Sequence, residues 1–198
     1  MNLLVCGVGG QGVLLFSDIL ARLAMAAGLD VKKSEVHGMA QRGGSVTSHI
    51  RWSKKVYSPL IEEGTADIIV AFEQLEALRY IHFLSTAGLL IYDPLRIDPL
   101  PVQIGLVEKM PDEVLQERIA ARAPLNRAIP AFAAACDLGN PRVQNTVMLG
   151  AISNFLDFPL SFYEQVINQL VKPQFVEINL KAFATGRALL KENLPAKK

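Results

Sequence analysis

Leu3-Leu4-Val5-Cys6-Gly7-Val8-Gly9-Gly10-Gln11-Gly12 decides the fold. A short apolar run of strand length meets four glycines, and an apolar helix pattern follows at once. Gly7, Gly9 and Gly12 match G-x-G-x-x-G in the strand-to-helix setting where that motif carries meaning. In such a unit Gly7 permits a tight turn off the strand. Gly9 lets the backbone approach a ligand, and Gly12 lets the helix pack against the strand. The helix start beyond has unpaired N–H groups and the positive end of the helix dipole, both of which favour an anion. The same glycines also suit a plain α/β crossover turn with no ligand.

Outward from the turn, Val13, Leu14, Ile19, Leu20, Leu23 and Ala24 have the spacing of a buried helix face, closed by Gly28. Asp30 to Val36 reads as the second strand. A dinucleotide site places an acidic residue about 20 residues past the glycines to hold a ribose. Here Lys32 and Lys33 occupy the strand and only Glu35 can serve, which weakens an NAD reading. Glu35 to Ser45 follows as a polar loop punctuated by glycines. Its His37, Gln41 and Arg42, set among Gly38, Gly43 and Gly44, can present donors to a phosphate, a carboxylate or a partner carbonyl. A solvated connection is the alternative.

Val46, Ser48, Ile50 and Trp52 alternate with Thr47, His49 and Arg51, the pattern of a strand with one face on the core and His49 on its polar face. Val56 to Ser58 reads as a strand pairing back in a hairpin. Ala66–Phe72 and Gly88–Tyr92 are continuous apolar runs, as in strands buried on both faces of a parallel sheet, with a helix through Leu75, Leu78 and Ile81 between them. Val102 to Val107 reads as a strand, Pro111 to Arg122 as a helix, Arg127 to Ile129 as a last short strand and Ala131 to Leu138 as a short helix. From Arg142 onward the chain is helical. Ser161 and Glu164 form a capping box, and Glu177 and Lys181 an i,i+4 pair. The expected architecture is α/β and Rossmann-like: a mostly parallel sheet flanked by helices, with a helical C-terminal tail. It is read as a single domain over residues 1–198, with an α/β core over 1–141 and the tail over 142–198 packed on it.

The 198 residues carry a net charge of +1 and are 51% hydrophobic, which gives no support to nucleic-acid binding. No run approaches the ~18 apolar residues of a membrane span. Cys6 and Cys136 read as lone core thiols in a reducing, cytoplasmic setting. Val13-Leu14 stand where a P-loop needs Lys and Ser/Thr, which argues against an NTPase. His37, His49 and His82 show no metal spacing, and no serine sits in G-x-S-x-G. No catalytic set and no metal site emerges from the chain itself.

Two segments together carry a resemblance. Gly7 to Gly12 and Val36-His37-Gly38-Met39-Ala40-Gln41-Arg42-Gly43-Gly44-Ser45-Val46, followed by Ser58-Pro59 and Ala66-Asp67, resemble the gamma-type subunit of the 2-oxoacid:ferredoxin oxidoreductases. Leu138-Gly139-Asn140, Leu149-Gly150-Ala151, Asn179, Ala182-Phe183 and Gly186 extend the likeness to nearly the whole chain. Within that family the His37–Gly44 run and the size are most similar to the small subunit of the indolepyruvate branch. The resemblance implies oxidative decarboxylation of a 2-oxoacid with coenzyme A to an acyl-CoA, using thiamine diphosphate, Mg²⁺ and iron–sulfur clusters, with electrons passed to ferredoxin. It implies that a larger partner subunit holds those cofactors and that this chain binds none alone. The sequence has no Gly-Asp-Gly, and two cysteines fall short of the four thiolates of a cluster. The residues expected to meet a ligand or the partner are Gly7, Gly9, Gly10, Gln11, Gly12, His37, Gly38, Gln41, Arg42, Gly43 and Gly44. A stand-alone Rossmann-like nucleotide binder and a purely structural assembly subunit are the alternatives.

Overall fold

The computed structural model describes residues 1–37 and 43–191. At its centre is β1 (Asn2–Val8), whose Leu3, Leu4, Val5 and Cys6 are wholly buried. A strand apolar on both faces needs cover on both, and helices supply it. The chain continues through α1 (Val13–Ala26), β2 (Asp30–His37), β3 (Ser45–Ser53), β4 (Ala66–Ala71), α2 (Gln74–Tyr80) and β5 (Leu84–Tyr92). Then come α3 (Leu100–Gln103), α4 (Asp112–Arg122), β6 (Asn126–Ala128), α5 (Ala131–Asp137), α6 (Gln144–Ile152), α7 (Leu160–Leu170) and α8 (Pro173–Lys191).

The sheet has the order β2-β3-β1-β4-β5-β6. Among the described residues β3 is the one strand that runs against the rest, pairing antiparallel with both β1 and β2. The pairings of β1 with β4, β4 with β5 and β5 with β6 are parallel. This is the expected mostly parallel, Rossmann-like sheet flanked by helices, with β3 inserted between β1 and β2. One face packs Leu3 and Val5 against α1 and the C-terminal helices. The other packs Leu4 and Cys6 against Ala77 of α2 and Leu115 and Ile119 of α4.

All nine residues of α6 are buried. The reason lies at its crossing with α8. A Cβ on Gly150 would stand 2.1 Å from the Phe183 carbonyl oxygen, and one on Gly186 would stand 1.8 Å from that of Val147. The two helices therefore touch backbone to backbone. Thr146 Oγ1 donates to Asn179 Oδ1 at 2.6 Å across the same contact.

Several sequence expectations are corrected. Both faces of β3 are covered along most of its length, and Thr47 and His49 are buried. His49 Nδ1 accepts the Ile61 N–H at 3.2 Å, and burial lowers the imidazole pKa. The cover on that face is the segment around Val56 to Ile61, which is irregular and not the returning strand of a hairpin. Arg51 holds it by donating to the carbonyls of Ser58 and Leu60 at 3.0 and 3.1 Å. Residues 102–107 form the end of α3 and a turn, not a strand, and expose Ile104, Leu106 and Val107. The Ser161–Glu164 capping box does not form: α7 begins at Leu160 after Pro159, so Ser161 is already inside the first turn. Cys136 is exposed, while Cys6 is buried as expected.

Candidate functional site

The chain leaves β1 for a helix on one face of the sheet and leaves β4 for a helix on the other. The gap between their carboxyl ends is therefore the switch point at which open α/β sheets hold ligands. Gly9 to Gly12, Phe72 to Gln74 and the residues after Asp93 gather there.

The glycines divide the labour differently from the motif's usual assignment. Gly7 remains inside β1, and a Cβ on it would lie 3.0 Å from both Gln11 Oε1 and Val13 Cγ2 and 3.2 Å from Phe72 Cβ. Close packing, not turning, requires it. The turn itself is made by Gly10 (φ 107°) and Gly12 (φ 83°), in the left-handed region that favours glycine. Gly12 caps α1, and the space its side chain would fill belongs to Asn145 of α6, 2.6 Å away, and not to the strand. The Gly9 N–H donates to the Gly44 carbonyl at 2.8 Å, and its own carbonyl accepts from Gly43 N–H at 3.5 Å. The two glycine segments singled out in the sequence are thus joined main chain to main chain.

Gln11 braces this turn. Its Oε1 accepts the Val8 N–H at 2.7 Å, and its Nε2 donates to the Phe72 carbonyl at 2.8 Å and to Gln144 Oε1 at 3.3 Å. Gln144 Nε2 donates in turn to the Phe72 carbonyl and to Asp93 Oδ2, each at 2.9 Å. Asp93 also accepts the N–H groups of Leu95 and Phe132, at 2.9 and 2.7 Å. One buried network therefore ties the ends of β1, β4 and β5 to α5 and α6. Burial pushes the Asp93 carboxyl above its ordinary range, and these donors act against that rise. Both Nε2 protons of Gln11 are used within the frame, so its work here is structural.

On the α2 side, Ser45 Oγ donates to the Glu76 carboxylate and lies 3.0 Å from the Tyr80 hydroxyl. Arg79 Nε donates to Glu76 Oε1 at 3.0 Å. Glu73 caps α2 by accepting the Glu76 N–H at 2.9 Å and takes the Ile97 N–H at 2.9 Å. Burial raises the Glu73 carboxyl pKa and, with help from Glu76 and Glu73, that of the Cys6 thiol. Cys6 is therefore a protonated core thiol and no nucleophile. The second glycine segment enters β3 anchored by this cluster. His37 ends β2 with its backbone opposite Val46, while Gly38, Gln41 and Arg42 lie outside the described residues. Glu73, Glu76, Asp93 and Gln144 were not singled out in the sequence. A Glu directly ahead of the α2 pattern was the one available signal, and it is a weak one because Glu is not a favoured N-cap.

Glu35 does not stand where a ribose-holding acid would. β3 lies between β2 and β1, which moves it away by one strand spacing, about 4.8 Å. It is also bound to Lys33 Nζ at 2.5 Å. What the turn offers a ligand is a pocket of about 520 Å³ walled by Gly9, Gly10, Gly12, Val13, Leu14 and Val46, main chain and aliphatic side chains. Among the described residues no group of three or more His, Cys, Asp or Glu is placed to hold a metal ion, and no helix is long and apolar enough to cross a membrane.

Comparison with known proteins closes the case on kinship. Residues 2–189 match the family model described as pyruvate ferredoxin/flavodoxin oxidoreductase. The chain is 42% identical over 192 residues to the indolepyruvate oxidoreductase subunit IorB of Archaeoglobus fulgidus, covering 94% of this chain and 93% of that protein. It is 38% identical to the subunit of the same name in Pyrococcus horikoshii, covering 98% and 97%. Among solved structures it is similar to the gamma subunit of a keto/oxoacid ferredoxin oxidoreductase from Geobacter sulfurreducens, with a TM-score of 0.70, 24% identity and 96% and 98% of the two chains covered. It is also similar to the 2-oxoglutarate:ferredoxin oxidoreductase of Magnetococcus marinus, a structure with 2-oxoglutarate, coenzyme A and succinyl-CoA bound. There the TM-score is 0.78 at 23% identity, and all of this chain matches 32% of that one. On the family match and on these near-full-length relatives, the chain belongs to the pyruvate ferredoxin/flavodoxin oxidoreductase family, among the small subunits of 2-oxoacid:ferredoxin oxidoreductases.

Proposed function

We propose that this chain is the small subunit of an arylpyruvate-type 2-oxoacid:ferredoxin oxidoreductase, with indolepyruvate as the leading substrate. The observation that carries the reading is its 36–42% identity to subunits named IorB along nearly their whole length. The complex converts the 2-oxoacid and coenzyme A to an acyl-CoA and CO₂ and passes the electrons to ferredoxin. A larger subunit holds thiamine diphosphate, Mg²⁺ and the iron–sulfur clusters. This chain's own thiols do not fit an iron–sulfur cluster: Cys6 is buried with its thiol 3.6 Å from the Glu76 carbonyl, and Cys136 lies exposed elsewhere. Two separated thiols do not make a cluster site. Ferredoxin-linked chemistry with two free cysteines suits a reducing cytoplasm.

What the chain contributes is a braced surface. The turn after β1 and the Gly43-Gly44 segment form one main-chain-lined edge, held from behind by Gln11, Gln144 and Asp93. We assign that edge, with the sequence from His37 to Ser45, to contact with the partner beside its thiamine site. The test is reconstitution with the companion subunit, measuring coenzyme A-dependent reduction of a viologen dye with indolepyruvate, phenylpyruvate, pyruvate and 2-oxoglutarate. The aryl substrates are expected to be preferred. Preference for pyruvate or 2-oxoglutarate would overturn the substrate assignment.

A further inference from the structure

β2 ends the sheet on one side and β6 on the other. β6 has three residues, too few to serve as a template for pairing. β2 has eight, contains no proline, and keeps an unbroken register with β3 from Asp30 opposite Ser53 to His37 opposite Val46. A long, regular edge strand presents main-chain groups that another chain can use.

Which groups those are follows from the ladder. Trp52 of β3 exchanges both main-chain hydrogen bonds with Met1, at 2.9 and 3.1 Å, so it turns toward β1. Main-chain direction alternates along a strand, so Arg51, His49 and Thr47 turn toward β2, where they face Lys32, Ser34 and Val36. Val31, Lys33 and Glu35 therefore turn their N–H and C=O groups outward, and among the described residues β3 is the one strand beside them.

The side chains on that edge match themselves. Lys33 and Glu35 stand on the face toward α1, with Nζ and Oε1 2.5 Å apart, and Lys33 also binds Asp18 of α1. Antiparallel pairing of two copies of β2 about a two-fold axis at Ser34 sets each Lys33 directly opposite the other copy's Glu35. The outward main-chain groups of the two residues then exchange hydrogen bonds. On the other face Lys32 comes opposite Val36, which is 55% exposed in the single chain, and the methylene stem of the lysine covers it. Moving the axis by one residue sets Lys33 against Lys33 or Glu35 against Glu35, and like charges directly opposite are destabilising. The charge pattern admits a second copy in one register and disfavours the neighbouring ones.

We propose that β2 is a homodimer interface, at which two copies of this chain join edge to edge, antiparallel, about a two-fold axis at Ser34. The two six-stranded sheets become one continuous sheet. This pairing needs only the chain itself and does not depend on the reaction proposed above.

Ser34→Cys tests the axis, made together with Cys136→Ser so that no other thiol is exposed. Residues that face each other in an antiparallel pair without mutual hydrogen bonds have Cα atoms about 4.5 Å apart, within disulfide reach. Under mild oxidation this variant should run as a covalent dimer. Val36→Cys in the same background should not, because it faces Lys32. Light scattering of the full-length chain should give twice the mass of one chain. Lys33→Glu alone and Glu35→Lys alone should each raise the dimer dissociation constant about tenfold or more. An equimolar mixture of these two variants should restore the dimer, because every facing pair is again opposite in sign, and that restoration separates lost pairing from lost folding. A single-chain mass at every concentration would overturn the proposal. So would a missing Ser34→Cys link, or a dimer that both charge variants leave intact. A link that forms in the chain alone but not in its complex with the companion subunit would assign the edge to that subunit and overturn the proposal too.

Discussion

At the turn after β1, Gly10 and Gly12 hold φ values of 107° and 83° that side chains rarely adopt. Where α6 crosses α8, Gly150 and Gly186 have no such φ but no room for a methyl group. The first pair serves conformation and the second serves distance. Only the first announces itself in a sequence, because a turn is local whereas a helix crossing joins residues some 36 positions apart. Gly12 belongs partly to both classes, since its φ is positive and Asn145 fills its side-chain space. The glycine turn therefore packs against α6 through Asn145 and through the Gln11–Gln144 hydrogen bond.

Substitutions can separate these roles. The largest effect is expected from Gly186→Ala. Its Cβ would fall 1.8 Å from a backbone oxygen, so the helices must part. The loss should be about 3 kcal/mol or more in a urea melt, well beyond the ~1 kcal/mol that alanine returns in helix propensity. An unchanged melt would show that the α6–α8 contact is looser than described.

Gly12→Ala combines left-handed strain with the Asn145 clash and should cost about 2–3 kcal/mol. Gly10→Ala meets nothing within 4 Å, so it carries the strain alone and should cost roughly 1 kcal/mol. Equal losses at the two positions would erase the distinction between space and conformation. Gln144→Leu falls between them, at about 2 kcal/mol, because it removes a buried donor from the Asp93 carboxylate.

The smallest effect is a dependence on pH. Burial raises the Glu73 carboxyl, so the folded chain holds that proton more tightly than the unfolded chain does. The resulting stability is fully present below the unfolded value of about 4.3. It is lost as pH rises through the raised folded value. Glu73→Gln removes this contribution, so between acid and neutral pH the melting temperature of the variant should fall less, or rise more, than that of the parent. Parallel pH profiles would show that Glu73 titrates as an ordinary glutamate.

Much of the α/β half was legible because its signals are local. β1, the turn, α1, β4 and β5 follow from apolar runs and glycines that lie next to one another in the chain. The errors share a cause in tertiary cover. His49 looks solvent-facing by its period of two, yet the segment from Val56 to Ile61 folds over it and supplies an N–H to its ring. Residues 102–107 are apolar enough for a strand, but they follow the proline-rich entry to α3 and find no strand to pair with. In the site, the glycines were visible and their tasks were not. Gly12 yields its space to an asparagine 133 residues away, and Gln11, a plausible ligand donor in sequence, is consumed by Val8, Phe72 and Gln144. The meeting of Gly9 with Gly44 needed β3 beside β1, an order that no periodicity reports.

We propose that this surface completes an active site that another subunit carries. It is tested most directly by measuring coenzyme A-dependent dye reduction with indolepyruvate by the companion subunit, first without and then with this chain. Turnover should appear only when the chain is added, and should fail to reach its full value when the added chain carries Gly12→Leu. Full turnover by the companion alone would contradict the account.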